Sequence, residues 1–181
     1  MDVEWAPLSP EERKRRAEEL RAQRARAAAE RKAEIANAMG AVGRYPRRDL
    51  VIVDFGTATT LCAVNAEAEY LGGIITPGVQ MSMAALDART ARLPAVEICK
   101  PATVLGRTTV ESIQSGLFHG TLATVRTLTG AIAEEQFNGR EPVLVGTGGF
   151  GRLFAQEKLF DAFIPELALL GLRRAVGLAT P

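Results

Sequence analysis

The sequence predicts an α/β fold, a mixed sheet with helices on its faces, preceded by a long charged N-terminal helix. Three observations carry this. Two short apolar runs, Val51-Ile52-Val53 and Val143-Leu144-Val145, are each followed by a glycine-bearing turn, as buried strands are. Residues 108–136 place Val110, Ile113, Leu117, Leu122, Val125, Leu128 and Ile132 at three-to-four spacing, the period of a helix with one apolar side. Residues 11–37 are almost all Ala, Glu, Arg, Lys and Leu, which favour helix without supplying a core face.

The N-terminal helix has a marked start. Ser9 suits the N-cap, Pro10 the first helical position, and Glu12 the third position of a capping box. Pairs such as Glu12 with Arg16 support the helix at i, i+4. Leu20 and Ile35 are its only large aliphatics, so a long leucine-seamed coiled coil is not expected. Three uses stay open: a solvated helix leading into the domain, a helix docked on a partner chain or filling the space of an absent domain, or a surface for nucleic acid or a membrane. The interspersed glutamates weaken the third. Residues 1–7, with Trp5, are open between disorder and a staple to another surface.

The body follows in order. A helix is expected over residues 33–42 and a linker over residues 44–48, which divides the chain into an extension, residues 1–48, and a domain, residues 49–181. Strands are expected over residues 50–54, 59–65 and 69–76 as an antiparallel meander, closed by Pro77-Gly78. A helix over residues 79–89 should bury Met81, Met83 and Leu86. Residues 93–98 read as irregular or briefly extended. In the long helix, Gly116 and Gly120 permit close backbone approach, and its apolar face would be bare in a lone chain, so a homodimer is expected. His119 lies between those glycines and reads as a packed or surface residue. Residues 142–145 form a strand, residues 150–160 have helical spacing, and residues 165–178 make a last amphipathic helix.

Two corners of this fold could carry chemistry. In Val51-Ile52-Val53-Asp54-Phe55-Gly56-Thr57-Ala58-Thr59-Thr60, a buried strand fixes where Asp54 emerges. Gly56 lets the backbone turn and present N–H groups, and Thr57, Thr59 and Thr60 offer hydroxyls. Asp54 can hold a cation or a metal-bound water. The second corner, Gly146-Thr147-Gly148-Gly149, runs from a strand toward a helix start, a common way to bring N–H groups to a nucleotide. Either could be a plain structural turn; together they favour nucleotide binding.

Composition excludes several classes. The 181 residues suffice for one domain with an added helix, and 47% hydrophobic content suffices for a core. A net charge of +1 argues against a general nucleic-acid binder. No apolar run is long enough for a membrane span, and the charged N-terminus is unlike a signal peptide, which together fit a cytoplasmic protein. Cys62 and Cys99 lack metal-site spacing and read as reduced and buried.

The blocks IVDFGTATT (residues 52–60), YLGGIITPGVQMSMAAL (70–86), RTARLP (89–94), GRTTVESIQSG (106–116), VGTGG (145–149) and LLGLRRA (169–175) occur together and in order. In these the sequence resembles the type III pantothenate kinases of the acetate/sugar kinase–Hsp70–actin superfamily, over roughly residues 35–178. The resemblance implies a ribonuclease H-like domain and ATP-dependent phosphorylation of pantothenate on the way to coenzyme A. It implies ATP, magnesium and a monovalent cation, potassium or ammonium, as cofactors. By position, Asp54 would bind the monovalent cation, Gly56 and Thr57 the ATP phosphates, and Gly148 and Gly149 the nucleotide on its adenosine side. Thr109 would contact pantothenate, in that family across a dimer interface.

The departures from the family pattern bear on catalysis. The family's phosphate-loop motif Asp-x-Gly-Asn-Thr does not occur in this sequence. Where the family has Gly-x-Asp-Arg, whose aspartate is the general base, alignment of the following helix places Lys32-Ala33-Glu34. Ala33 then stands at the base and Glu34 at the arginine. Losing a general base removes a factor of roughly 10² to 10⁴. Three expectations follow, with no catalytic residue assigned. The chain is a kinase part completed by another chain, an inactive paralogue that binds nucleotide or a kinase partner, or an interaction protein using its charged helix.

Overall fold

A computed structural model describes residues 9–89 and 95–179. The expectations for residues 1–7, and for residues 93 and 94 of the irregular segment, lie outside the described residues. The first element, α1, is one continuous helix, Pro10–Arg44. It begins as the sequence predicts: the Ser9 N–H donates to Glu12 Oε2 at 2.8 Å, and the Glu12 N–H donates to Ser9 Oγ at 3.2 Å. Glu12, which helical spacing pairs with Arg16, is thus turned back into the cap; among the described residues, Arg15–Glu19 forms an i, i+4 ion pair at 3.9 Å.

The last third of α1 belongs to the body. Ala36, Asn37, Ala38 and Ala41, which the division at residue 48 assigns to an extension, are buried. They lie between the sheet and α5, Leu167–Ala179, which crosses α1 through small residues. A methyl group at Gly171 would fall 1.7 Å from the Ala36 carbonyl oxygen, and one at Gly40 would fall 2.4 Å from that of Leu167. Alanine, read as a helix former in α1, here joins with glycine to set the distance between two backbones.

The sheet is mixed, in the order β3-β2-β1-β4-β5. Strands β1 (Leu50–Phe55), β2 (Ala58–Val64) and β3 (Tyr70–Pro77) form the expected antiparallel meander. Strand β4 (Val143–Thr147) lies parallel to β1, and β5 (Ala162–Phe163) lies parallel to β4. Successive side chains of a strand alternate between faces. Val51, Val53 and Phe55, with Leu61, Ala63 and Leu144, therefore face α2 (Val79–Arg89) and α3 (Thr109–Phe137). Leu50, Ile52, Cys62, Val64, Val143 and Val145 face α1 and α5 through Ala38, Ala41 and Leu167. Cys62 is buried and Cys99 half-buried, both free. Burial pushes the Cys62 thiol up to about 12, which makes it an unreactive core residue.

Four expectations change. The helix read over residues 150–160 is only α4, Gly151–Phe154. The chain then turns through Lys158, at φ 50°, and Phe160 packs on the Phe55 ring at 5.7 Å, its ring filling the space a side chain at Gly146 would need. Tertiary stacking of Phe55, Phe154 and Phe118 overrides the local helical period. Met81 is 46% exposed, while Met83 is buried. In α3, Ile113, Leu117, Leu122 and Val125 are buried in the chain's own core, with Leu128 and Ile132 packed against it. Only Val110 of the predicted stripe is exposed, so the bare face that motivated a homodimer is already covered by the sheet. A methyl group added at Gly116 or Gly120 would meet nothing within 4 Å, so no backbone approaches them here. His119 is half-buried, edge-on to Phe118 at 5.1 Å.

Candidate nucleotide and cation site

Strand β1 delivers Asp54 to the end of the sheet, half-buried, one residue before the fully buried Phe55. The chain then reverses: the Gly56 N–H donates to the Ala58 carbonyl at 3.1 Å, and β2 leaves antiparallel. Gly78, at the junction of β3 and α2, closes in from one side. A methyl group there would fall 2.2 Å from the Thr57 carbonyl oxygen, so only glycine allows this approach.

The β4–α4 turn closes in from another side. Gly148 has φ +90°, and a methyl group there would lie 2.4 Å from Asp54 Oδ1 and 2.6 Å from the Phe55 nitrogen. The Phe150 N–H donates to the Phe55 carbonyl at 3.2 Å and ties the two corners together. The two glycine corners of the sequence thus form one place in the fold.

Helix α1 supplies the third wall. Ala33 and Glu34 line a cavity of about 160 Å³ together with Asp54, Gly56, Thr57, Ala58 and Thr60. Glu34 Oε2 accepts a hydrogen bond from the Tyr70 hydroxyl at 3.1 Å. One turn further on, Asn37 is 2% exposed and its Nδ2 donates to Asp54 Oδ2 at 2.9 Å. Its Oδ1 is buried with no hydrogen-bond partner. Such an orphan costs about 1–3 kcal/mol until something satisfies it. Burial raises the Asp54 carboxyl above its ordinary range, while the Asn37 N–H pulls it the other way. A carboxylate disfavoured by burial gains from a cation beside it.

Most of the residues singled out in the sequence meet here. Asp54, Gly56 and Thr57 share the cavity, and Gly148 packs on Asp54. Gly149 has open space around its α-carbon. Thr109 is exposed in the first turn of α3 and does not line this cavity. Thr59 departs from expectation. In β2 it faces away from Thr60, is buried, and lines a separate cavity with Thr76 and Ser82. Asn37 was missed; an asparagine within an alanine-rich helix, where its propensity is poor, is the signal that pointed to it.

A monovalent cation fits this site better than a protein-caged divalent one. Among the described residues there is no cluster of three or more His, Cys, Asp or Glu that could hold a metal. Of the two carboxylates in the cavity, Glu34 is engaged by the Tyr70 hydroxyl, and Asp54 stands beside the neutral hydroxyls of Thr57 and Thr60, a set that suits a singly charged ion. No helix among the described residues is long and apolar enough to cross a membrane.

Fold and site together define a domain of actin-like fold with a carboxylate cavity at the end of its central strand. An archaeal actin homolog superposes with TM-score 0.56 at 14% identity, over 80% of this chain and 54% of the other. A Campylobacter jejuni protein described as a Baf family transcriptional activator superposes with TM-score 0.55 at 22% identity, over 77% and 62%. Both likenesses concern the fold alone.

The chain belongs to the type III pantothenate kinase family, whose model matches residues 33–131. A Legionella pneumophila type III pantothenate kinase is 45% identical over 146 residues, 81% of this chain and 57% of that protein. A Francisella tularensis type III pantothenate kinase 1 is 42% identical over 139 residues, 77% and 54%. The chain thus spans little more than half the length of these relatives.

Proposed function

We propose that this chain provides the cation- and phosphate-binding part of a pantothenate kinase, which uses ATP to phosphorylate the 4′-hydroxyl of pantothenate in coenzyme A biosynthesis. The meeting of Asp54, Gly56 and Thr57 in one cavity, with Gly148 packed on Asp54, in a chain of this family, supports the reading. Phosphoryl transfer is mostly positioning and charge stabilisation, so the protein's task is to hold phosphates and neutralise charge. Thr57 and the N–H groups of its turn would hold phosphate oxygens, and the Gly148-Gly149 turn would lie along the nucleotide. Asp54 would hold potassium or ammonium; magnesium would ride on the nucleotide phosphates, as it does where protein ligands are few.

Thr109 lies outside the cavity, which suits a contact with pantothenate made by a second subunit. The partner is a second copy or another kinase chain, and the location is the cytoplasm. Glu34 is the carboxylate in the cavity besides Asp54 and the candidate proton acceptor. A second reading, a paralogue that binds nucleotide without turnover, is favoured by Ala33, whose methyl group cannot accept a proton at the position aligned with the family's base.

Phosphorylation of pantothenate, followed with labelled ATP at high enzyme concentration in potassium buffer, separates the two. We expect product from the wild type, a loss of at least tenfold in Asp54→Asn, and a loss of roughly 10² or more in Glu34→Gln. Nucleotide binding with no product from the wild type would select the second reading.

A further inference from the structure

We propose that Asn37 is a second protein ligand of the monovalent cation at Asp54, holding the carboxylate through Nδ2 and the cation through Oδ1. The proposal rests on the cation reading of Asp54 and adds a residue to it.

Three observations carry it. The Asn37 amide is 2% exposed, so its polar atoms are out of reach of bulk water. Its Nδ2 donates to Asp54 Oδ2 at 2.9 Å, which fixes the sense of the amide: the reverse orientation would set an oxygen against a carboxylate oxygen. Its Oδ1 then has no protein donor.

Covalent geometry places that oxygen. The two polar atoms of an amide are joined through one carbon, so Oδ1 lies no more than about 5.5 Å from Asp54 Oδ2. A single potassium or ammonium ion can bridge that span if the wall between Oδ1 and the cavity at Asp54 gives slightly, because Oδ1 is closed off here and Asn37 does not itself line the cavity. The ion would satisfy the orphan oxygen and neutralise the half-buried carboxylate at once. An amide oxygen is an ordinary ligand for a hard cation, and it adds no charge where one charge suffices. The same side chain also orients Asp54, because α1 is held to the body by α5 while β1 is fixed in the sheet.

The probe is potassium chloride, titrated against choline chloride at constant ionic strength, with the thermal midpoint of the full chain as readout. The wild type should gain stability specifically with potassium, and Asn37→Ala should need at least tenfold more potassium for the same gain. An equal half-maximal concentration in the two proteins would overturn the assignment of Asn37 and leave Asp54 as the cation residue. If Asn37→Ala fails to fold, the wild type decides: the Asn37 side-chain amide resonances should move in step with potassium. Resonances that stay fixed while the midpoint rises would overturn the proposal. A wild type indifferent to potassium would remove the cation reading and this proposal with it.

Discussion

Gly171→Ala should destabilise the chain by about 3 kcal/mol or more, although alanine for glycine inside a helix ordinarily stabilises by up to about 1 kcal/mol. The reason is distance. The added methyl carbon would sit 1.7 Å from the Ala36 carbonyl oxygen and 2.6 Å from its carbonyl carbon, both backbone atoms that cannot rotate away. Helices α1 and α5 must separate, and the apolar contacts of Ala38, Ala41 and Leu167 go with them. The consequence reaches the site, because α1 also carries Asn37 and Glu34. A variant that folds should have lost the Asn37–Asp54 hydrogen bond and with it the response to potassium. Equilibrium urea unfolding checks the first part, as a lower midpoint at unchanged slope. A midpoint equal to or above that of the wild type would show that α1 and α5 do not pack backbone to backbone.

Gly148→Ala should be nearly as costly, with a different signature. Its φ of +90° strains any residue with a β-carbon, and that carbon would lie 2.4 Å from Asp54 Oδ1 and 2.6 Å from the Phe55 nitrogen. Strain and overpacking together put the loss at about 2–4 kcal/mol. Retreat of the β4–α4 turn would weaken the Phe150 to Phe55 hydrogen bond and turn Asp54 away from the cavity. The neighbouring Gly149→Ala is the control: nothing lies within 4 Å of its methyl position, so stability should stay within about 0.5 kcal/mol. If the turn lies along the nucleotide, Gly149→Ala should nonetheless weaken ATP binding. Unfolding midpoints of the two variants, measured side by side, test the contrast, and equal midpoints would refute it.

Where the sequence was legible, local pattern and tertiary need agreed. The runs at Val51 and Val143 are strands because both faces of the sheet are covered, so unbroken apolar runs satisfy both. Asp54 and Gly56 could be read as a corner because an acid and a glycine after such a run have no core role. The capping box at Ser9 is local chemistry and was legible for that reason. The misreadings share one cause, side chains recruited by distant elements. Phe160 follows a helical period but stacks on Phe55, which ends α4 early and lets β5 pair with β4. The apolar stripe of α3 reads as a bare face in the sequence, yet the sheet itself covers it. Thr59 and Thr60 look alike in sequence, but the alternation of β2 sends them to opposite faces. Asn37 could not be placed until α1 and β1 were in contact, since its partner lies seventeen residues away.

The family's block at residues 145–149 and the one at residues 52–60 are separated by more than eighty residues, and in the fold they meet across Asp54. That meeting is what turns two ordinary glycine turns into one site. We propose that this site holds a nucleotide's phosphates with a monovalent cation at Asp54. The direct measurement is a titration of the chain with a non-hydrolysable ATP analogue, in potassium and in choline, for the wild type and Asp54→Asn. The wild type should bind at least tenfold tighter in potassium, and Asp54→Asn should show no potassium dependence. Binding of equal strength in both salts, unchanged by the substitution, would contradict the claim.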